Sequence, residues 1–182
     1  MKKGLIALIA IIVVLVVLVF TAYNGLVRAR EGVTNSWANV EVTYQRRAEL
    51  IPNLVESVKA FADHEAEVLT ELTRLRAGFD EADTPEEYEQ ANQQLNTAIS
   101  VAVEAYPELR SSALFQDLMT ELSGTENRVA TARRDYNQAA TSYNARIRSL
   151  PARLYAGLLG FEPVQVFEAT PGAETAPTVN FD

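Results

Sequence analysis

Cysteine is absent from the 182 residues, histidine occurs once, and acidic groups outnumber Lys and Arg by 24 to 16. Each shortage excludes something. Without cysteine there are no disulfides, no thiolate metal ligands, no cysteine nucleophile and no lipoprotein anchor, while the redox compartment stays open. His64 stands alone, so a Ser-His-Asp relay has no spare candidate and no histidine pair can bind a metal. Asp63-His64-Glu65 with Glu67 supplies ligand types, but an HExxH zinc motif needs His where Val68 stands, and a solvated charged face accounts for the cluster. GxSxG, GxGxxG and a glycine-rich loop leading into Lys-Ser/Thr are all missing. No catalytic residue, cofactor-binding residue, cofactor or metal ligand is assigned. Beyond Lys2 and Lys3 the chain carries 14 basic and 24 acidic residues. Such a charge repels phosphate backbones, which sets nucleic acid aside as a partner.

Proline is also lacking, between Met1 and Ile51, so one helix can run unbroken through the N-terminal quarter. Its start is apolar without interruption: Gly4–Phe20 reads GLIALIAIIVVLVVLVF. Eighteen helical residues from Leu5 to Ala22 rise about 27 Å, close to the hydrocarbon thickness of a bilayer. A cleaved signal peptide is the competing reading. Phe20-Thr21-Ala22 sets a bulky ring at the first small position of a cleavage site, so the helix is expected to stay. Residues 1–22 are thus an N-terminal transmembrane anchor in contact with membrane lipid. Lys2 and Lys3 favour a cytoplasmic N-terminus, Tyr23 suits the interfacial aromatic belt, and Arg28 and Arg30 on the other flank partly cancel the bias. The expected location is the cell (inner) membrane, single-pass, with the bulk of the chain outside the cytoplasm.

From Tyr23 the pattern is helical. Leu26, Val33, Trp37, Val40, Tyr44 and Ala48 form an apolar stripe, and Ile51-Pro52 breaks it. A second helix carries Leu54, Val58, Phe61, Glu65, Val68, Leu72, Leu75 and Phe79 in unslipped four-three steps. Thr84-Pro85-Glu86-Glu87 spells a capping box with proline at the first helical position. The third helix follows, with Tyr88, Ala91, Leu95, Ala98, Ala102 and Ala105, and ends at Tyr106-Pro107. Ser112 to Leu150 makes the longest helix, its stripe running Leu118, Leu122, Thr125, Val129, Ala132, Tyr136, Ala139 and Tyr143. The expected fold class is all-α: an N-terminal transmembrane helix continuing into an antiparallel up-and-down four-helix bundle over residues 23–161. Residues 162–182, with three prolines and four acidic groups against no base, read as an extended, largely disordered acidic tail.

An up-and-down order returns the last helix to the bilayer. Tyr23, Arg153, Leu154, Tyr155, Leu158, Leu159 and Phe161 are therefore candidate membrane-interface residues, although the same apolar piece suits a cap on the bundle's end. Two Tyr-Asn pairs seven residues apart, Tyr136-Asn137 and Tyr143-Asn144, share a helix face. Asn inside a helix is costly without a partner. These four residues are a candidate partner-binding stripe, with an internal structural network as the alternative.

Tyr23-Asn24-Gly25-Leu26-Val27 with Trp37, Arg46-Arg47-Ala48-Glu49-Leu50-Ile51-Pro52-Asn53-Leu54-Val55, Ala105-Tyr106-Pro107-Glu108-Leu109, Gly124-Thr125-Glu126-Asn127-Arg128 and the two Tyr-Asn pairs resemble the LemA family. The resemblance runs from the membrane helix to Glu168-Ala169. It implies a bacterial single-pass membrane protein with a helical bundle and no established enzymatic activity. It also implies neighbours of the HtpX-type membrane protease or TPM-domain kind, and one branch of the family takes part in magnetosome membrane formation. The expected function is a membrane-anchored scaffold or adaptor for a membrane or envelope partner such as a protease complex. Membrane shaping by self-association is the alternative, and an enzyme the third reading.

Overall fold

The computed structural model describes residues 2–59 and 66–168, and among these the regular structure is helical, with no strand. Five α-helices follow in order: α1 Lys2–Ala48, α2 Ile51–Lys59, α3 Ala66–Asp80, α4 Pro85–Ala105 and α5 Ala113–Arg148. A 3-10 turn, Pro107–Ser111, separates α4 from α5, and two more, Ala152–Leu154 and Gly157–Leu159, follow α5. The second helix expected from the sequence crosses residues 60–65, which lie outside the described residues together with Asp63, His64 and Glu65; on either side stand α2 and α3.

The chain divides into two compact units, Met1–Arg47 with Glu121–Gln165 and Ala48–Thr120 with Val166–Asp182. In the first, α1 is one helix of 47 residues, about 70 Å long at 1.5 Å per residue. Its leading part is uncovered at the described side chains: Leu5, Ile6, Ile12, Val16 and Phe20 are all exposed, Phe20 by 65%. Such a run in water forfeits the hydrophobic gain of every side chain, whereas in lipid each Leu, Ile, Val or Phe contributes about 0.3–0.6 kcal/mol to insertion. This one N-terminal helix is long and apolar enough to cross a membrane.

Past Tyr23 the same helix becomes amphipathic. Leu26, Val33, Val40 and Tyr44 are buried, and Trp37, on the same stripe, is half-buried. On the part of α5 in this unit, from Glu121 onward, the buried positions are Leu122, Thr125, Val129, Tyr136, Ala140, Tyr143 and Ile147. Ala140, not the expected Ala139, takes the innermost place, a one-residue drift that a 3.6-residue turn imposes on a 3.5-residue pattern. Contacts between the two helices come in a fixed order. Arg47 meets Glu126, Trp37 meets Tyr136 with ring centroids 5.1 Å apart and planes tilted by 57°, and Gly25 meets Arg146.

In the second unit α3 packs against both α2 and α4. The Ala-rich face of α4 permits a close approach: a Cβ placed on Gly78 of α3 would stand 4.0 Å from the Cβ of Ala91. Leu54, Val58, Leu75, Phe79, Leu95, Ile99 and Ala102 are buried there. The start of α4 is the capping box read from the sequence. Thr84 Oγ1 accepts from the Glu87 N–H at 3.3 Å, and the Glu87 carboxylate accepts from the Thr84 and Asp83 N–H groups at 3.0 and 2.9 Å. Those bonds hold the Glu87 carboxyl below the usual carboxylate range, the Asp83 N–H contributing most.

Candidate functional site

Two features of the first unit draw together the residues singled out in the sequence. One is a clasp on α5. Tyr136, Tyr143 and Asn144 project from one face, at spacings of seven and one, onto the extended segment Glu162-Pro163-Val164-Gln165. The Tyr143 hydroxyl donates to the Glu162 carbonyl at 3.0 Å and the Tyr136 hydroxyl to the Gln165 carbonyl at 2.7 Å. Between them Asn144 uses both ends of its amide: Nδ2 donates to the Val164 carbonyl at 2.8 Å, and Oδ1 accepts the Val164 N–H at 2.9 Å. A side-chain amide thereby stands in for a neighbouring strand. Pro163 brings no N–H that would need a partner. Burial pushes both tyrosines' pKa values upward; at Tyr143 the Arg30 guanidinium opposes this and Glu162 adds to it. Asn137 is half-buried beside this face.

Three of the four residues in the candidate stripe thus direct their polar groups at the chain's own backbone. The tail's first residues carry no regular secondary structure and are held on α5, while residues 169–182 lie outside the described residues. What marks this segment in the sequence is a short β-prone apolar run, Val164-Gln165-Val166-Phe167, against which stands the proline and acid content of the whole tail. Phe167 is buried.

The second feature is where the chain returns to the foot of α1. The Leu150–Pro151 bond is cis, and two short 3-10 turns follow. Gly160 closes them at φ +75°, a left-handed conformation in which an L side chain costs about 1–2 kcal/mol. The Phe161 N–H then donates back to the Ala156 carbonyl at 2.9 Å. Three contacts fasten the end of α5 and this loop to α1 just past the apolar run. Arg146 Nη1 donates to the Gly25 carbonyl at 3.1 Å, Arg30 Nη1 to the Gly160 carbonyl at 3.2 Å, and Phe161 meets Tyr23 edge to face at 5.7 Å between centroids. The candidate interface residues divide here. Phe161 is buried and Tyr155 half-buried, whereas Tyr23, Arg153, Leu154, Leu158 and Leu159 are exposed.

Arg47 enters the sequence reading only as part of the family resemblance, and the fold gives it a fixed place. Although only 2% exposed, it donates to the Leu122 carbonyl at 3.2 Å and pairs with Glu126 at 2.7 Å. Burial lowers its pKa, with Glu126 and then Tyr44 acting the other way. Its helical spacing gave a signal, since Arg47 lies three residues after buried Tyr44, but an arginine on an apolar stripe reads by default as a solvated edge.

Among the described residues no group of three or more Asp, Glu, His or Cys side chains is gathered where a metal ion could sit. Comparison with known proteins agrees with the residue pattern. Over 151 aligned residues the chain is 26% identical to Protein LemA of Metamycoplasma hominis, covering 81% of this chain and 69% of that protein. To Magnetosome protein MamQ 2 of Paramagnetospirillum magneticum it is 28% identical, and to Magnetosome protein MamQ of Magnetospirillum gryphiswaldense 26%, each match covering 84% of this chain and 67% of the relative. The LemA family model matches residues 36–181, so that the chain, helical throughout its described regular structure and led by an apolar helix fit to cross a membrane, belongs to the LemA family.

Proposed function

We infer that this protein is a membrane-anchored scaffold or adaptor that works through surface contact and carries no enzymatic activity. The observation that carries the reading is the continuity of α1, which passes from an uncovered apolar run into a packed amphipathic stripe within a single helix. A tether of that kind transmits position and orientation, the properties a scaffold needs, and a hinge between anchor and domain would lose them. The order of contacts along α1 and α5 favours the antiparallel up-and-down arrangement, with the four-helix bundle as its completed form. Lys2 and Lys3 favour an N-terminus in the cytoplasm and the domain outside it, at the inner membrane. The absence of a second histidine and of cysteine supports the non-catalytic part of the reading.

The partner is an envelope or membrane protein, with the membrane protease neighbours implied by family resemblance as the first candidates. A partner reaching the Tyr136–Asn144 face must use Asn137 and its surroundings or displace Val164 from Asn144. A photo-crosslinker at position 137 of the full chain, activated in intact cells, tests this. Capture of a distinct membrane protein, lost on Asn137→Ala in a pull-down, is the expected result; identical partner lists with and without the substitution count against it. The magnetosome relatives favour a second reading, membrane shaping by self-association. Its signature is capture of further copies of this chain alone, with deformation of liposomes by the purified protein.

A further inference from the structure

The loop after α5 leaves its apolar side chains uncovered at a definite height along α1. Leu150, Leu154 and Leu158 follow one another at intervals of four and are 75%, 73% and 89% exposed, with Leu159 beside them at 46%. A soluble domain rarely leaves four leucines so open on one short stretch. Their level follows from the helix contacts. Going from Tyr136 to Arg146 along α5 moves the contact on α1 from Trp37 to Gly25, so one further turn brings Leu150 to about the level of Thr21. That is the end of the apolar run, and Phe161 returns to Tyr23 at the same level.

Charge points the same way. Residues 23–31 and 146–162 hold five arginines (Arg28, Arg30, Arg146, Arg148 and Arg153) against two glutamates, in a chain whose net charge is −8. A cationic collar around exposed leucines suits an anionic headgroup layer, where arginine forks pair with phosphate and the leucines reach past it into the acyl boundary.

We propose that Leu150, Leu154, Leu158 and Leu159 form a lip that enters the anionic leaflet from which α1 emerges, giving the domain a second lipid contact beside its anchor. The inference rests on α1 spanning the bilayer. The lip fixes the tilt: a single helix leaves the domain free to lean in any direction, and a lateral foot attached near Gly25, Arg30 and Tyr23 favours one. Insertion is shallow, about 5–10 Å, as for other interfacial segments.

The cysteine-free sequence makes the test direct. Single substitutions Leu158→Cys, Val13→Cys and Val42→Cys in the full chain each take an environment-sensitive fluorophore, and the proteins are reconstituted into vesicles of phosphatidylcholine with or without phosphatidylglycerol. Spin-labelled lipids then quench by depth. The Leu158 probe is expected to be blue-shifted and quenched several-fold more than Val42, most strongly by a label near the headgroup and more in the anionic vesicles. A Leu158 probe with aqueous emission and no quenching, beside a quenched Val13 probe, overturns the lip and leaves the anchor standing; an unquenched Val13 probe sinks the anchor as well. A blue-shifted Leu158 probe that lipid labels do not quench assigns the leucines to contacts between copies, again overturning the proposal. Equal quenching in both vesicle types removes the role given to the arginines.

Discussion

The two units of the chain solve the same problem by different means. Where α1 meets α5, side chains reach across long stretches of sequence to backbone groups: Arg146 to Gly25, Arg30 to Gly160, Arg47 to Leu122, Asn144 to Val164. Around α2, α3 and α4 stand short-range bonds of Thr84 with Glu87, Arg74 with Glu71 and Gln93 with Glu89, beside the buried Leu54, Leu75 and Leu95. Hydrophobic burial is non-directional and tolerates small slides between helices, whereas hydrogen bonds to named carbonyls fix register. In the unit led by the apolar helix, bonds of this second kind fix the register of α1 against α5.

The sharpest way to break this contrast is to cut the apolar core of the second unit. Leu95 is fully buried, and Leu95→Ala should cost about 2–5 kcal/mol. Hydrogen exchange should show the lost protection concentrated in α2–α4, with the amides of α1 beyond Tyr23 little changed. Equal loss throughout would mean that the two units unfold as one.

Asn144→Ala removes two bonds to Val164 and should cost about 2 kcal/mol. Its distinguishing mark is local. Limited proteolysis should cut within residues 162–165 far sooner than in the parent chain, while helix content by circular dichroism is unchanged. A third test sharpens the same point with a single hydroxyl: Tyr143→Phe strands the Glu162 carbonyl at a cost of about 1 kcal/mol.

The pH dependence of that bond has a definite sign. Tyr143 titrates above its ordinary value when folded, so the stability it contributes is whole below the ordinary tyrosine range and is lost as pH rises through the folded value. Proteolysis at residues 162–165 should therefore accelerate in alkali in the parent chain, and the acceleration should shrink in Tyr143→Phe.

The smallest effect is expected at the start of α4. Glu87 titrates below its ordinary value, so its contribution is complete above the ordinary carboxylate range and fades as pH falls through the folded value. Glu87→Gln should flatten the acid limb of the second unit's stability slightly, seen as a smaller difference between melting temperatures at neutral and acid pH.

Much of the architecture was legible beforehand because it is local. Seventeen residues of unbroken apolarity, Pro52, Pro85 and Pro107 at helix boundaries, and Thr84 three residues before Glu87 each act within a turn or two of chain. For the loop after α5, an up-and-down order of helices raises the expectation of a place at the bilayer. Less legible was which of its residues turn inward. Phe161 and Leu158 have the same hydrophobic character in a sequence window, yet one is 6% exposed and the other 89%, because Gly160 reverses the chain between them.

By itself, then, the sequence determined the helical class, the membrane-length leading helix, the breaks and caps, and the family, all of which follow from periodicity, hydrophobicity and short motifs. Tertiary structure alone decided what the Tyr-Asn face holds, that Arg47 is buried against Glu126, and which loop leucines stay uncovered at the foot of α1. Those outcomes depend on which backbone carbonyl lies within hydrogen-bond reach of a given donor, and that distance is set by folding segments from 20 to 130 residues apart onto one another.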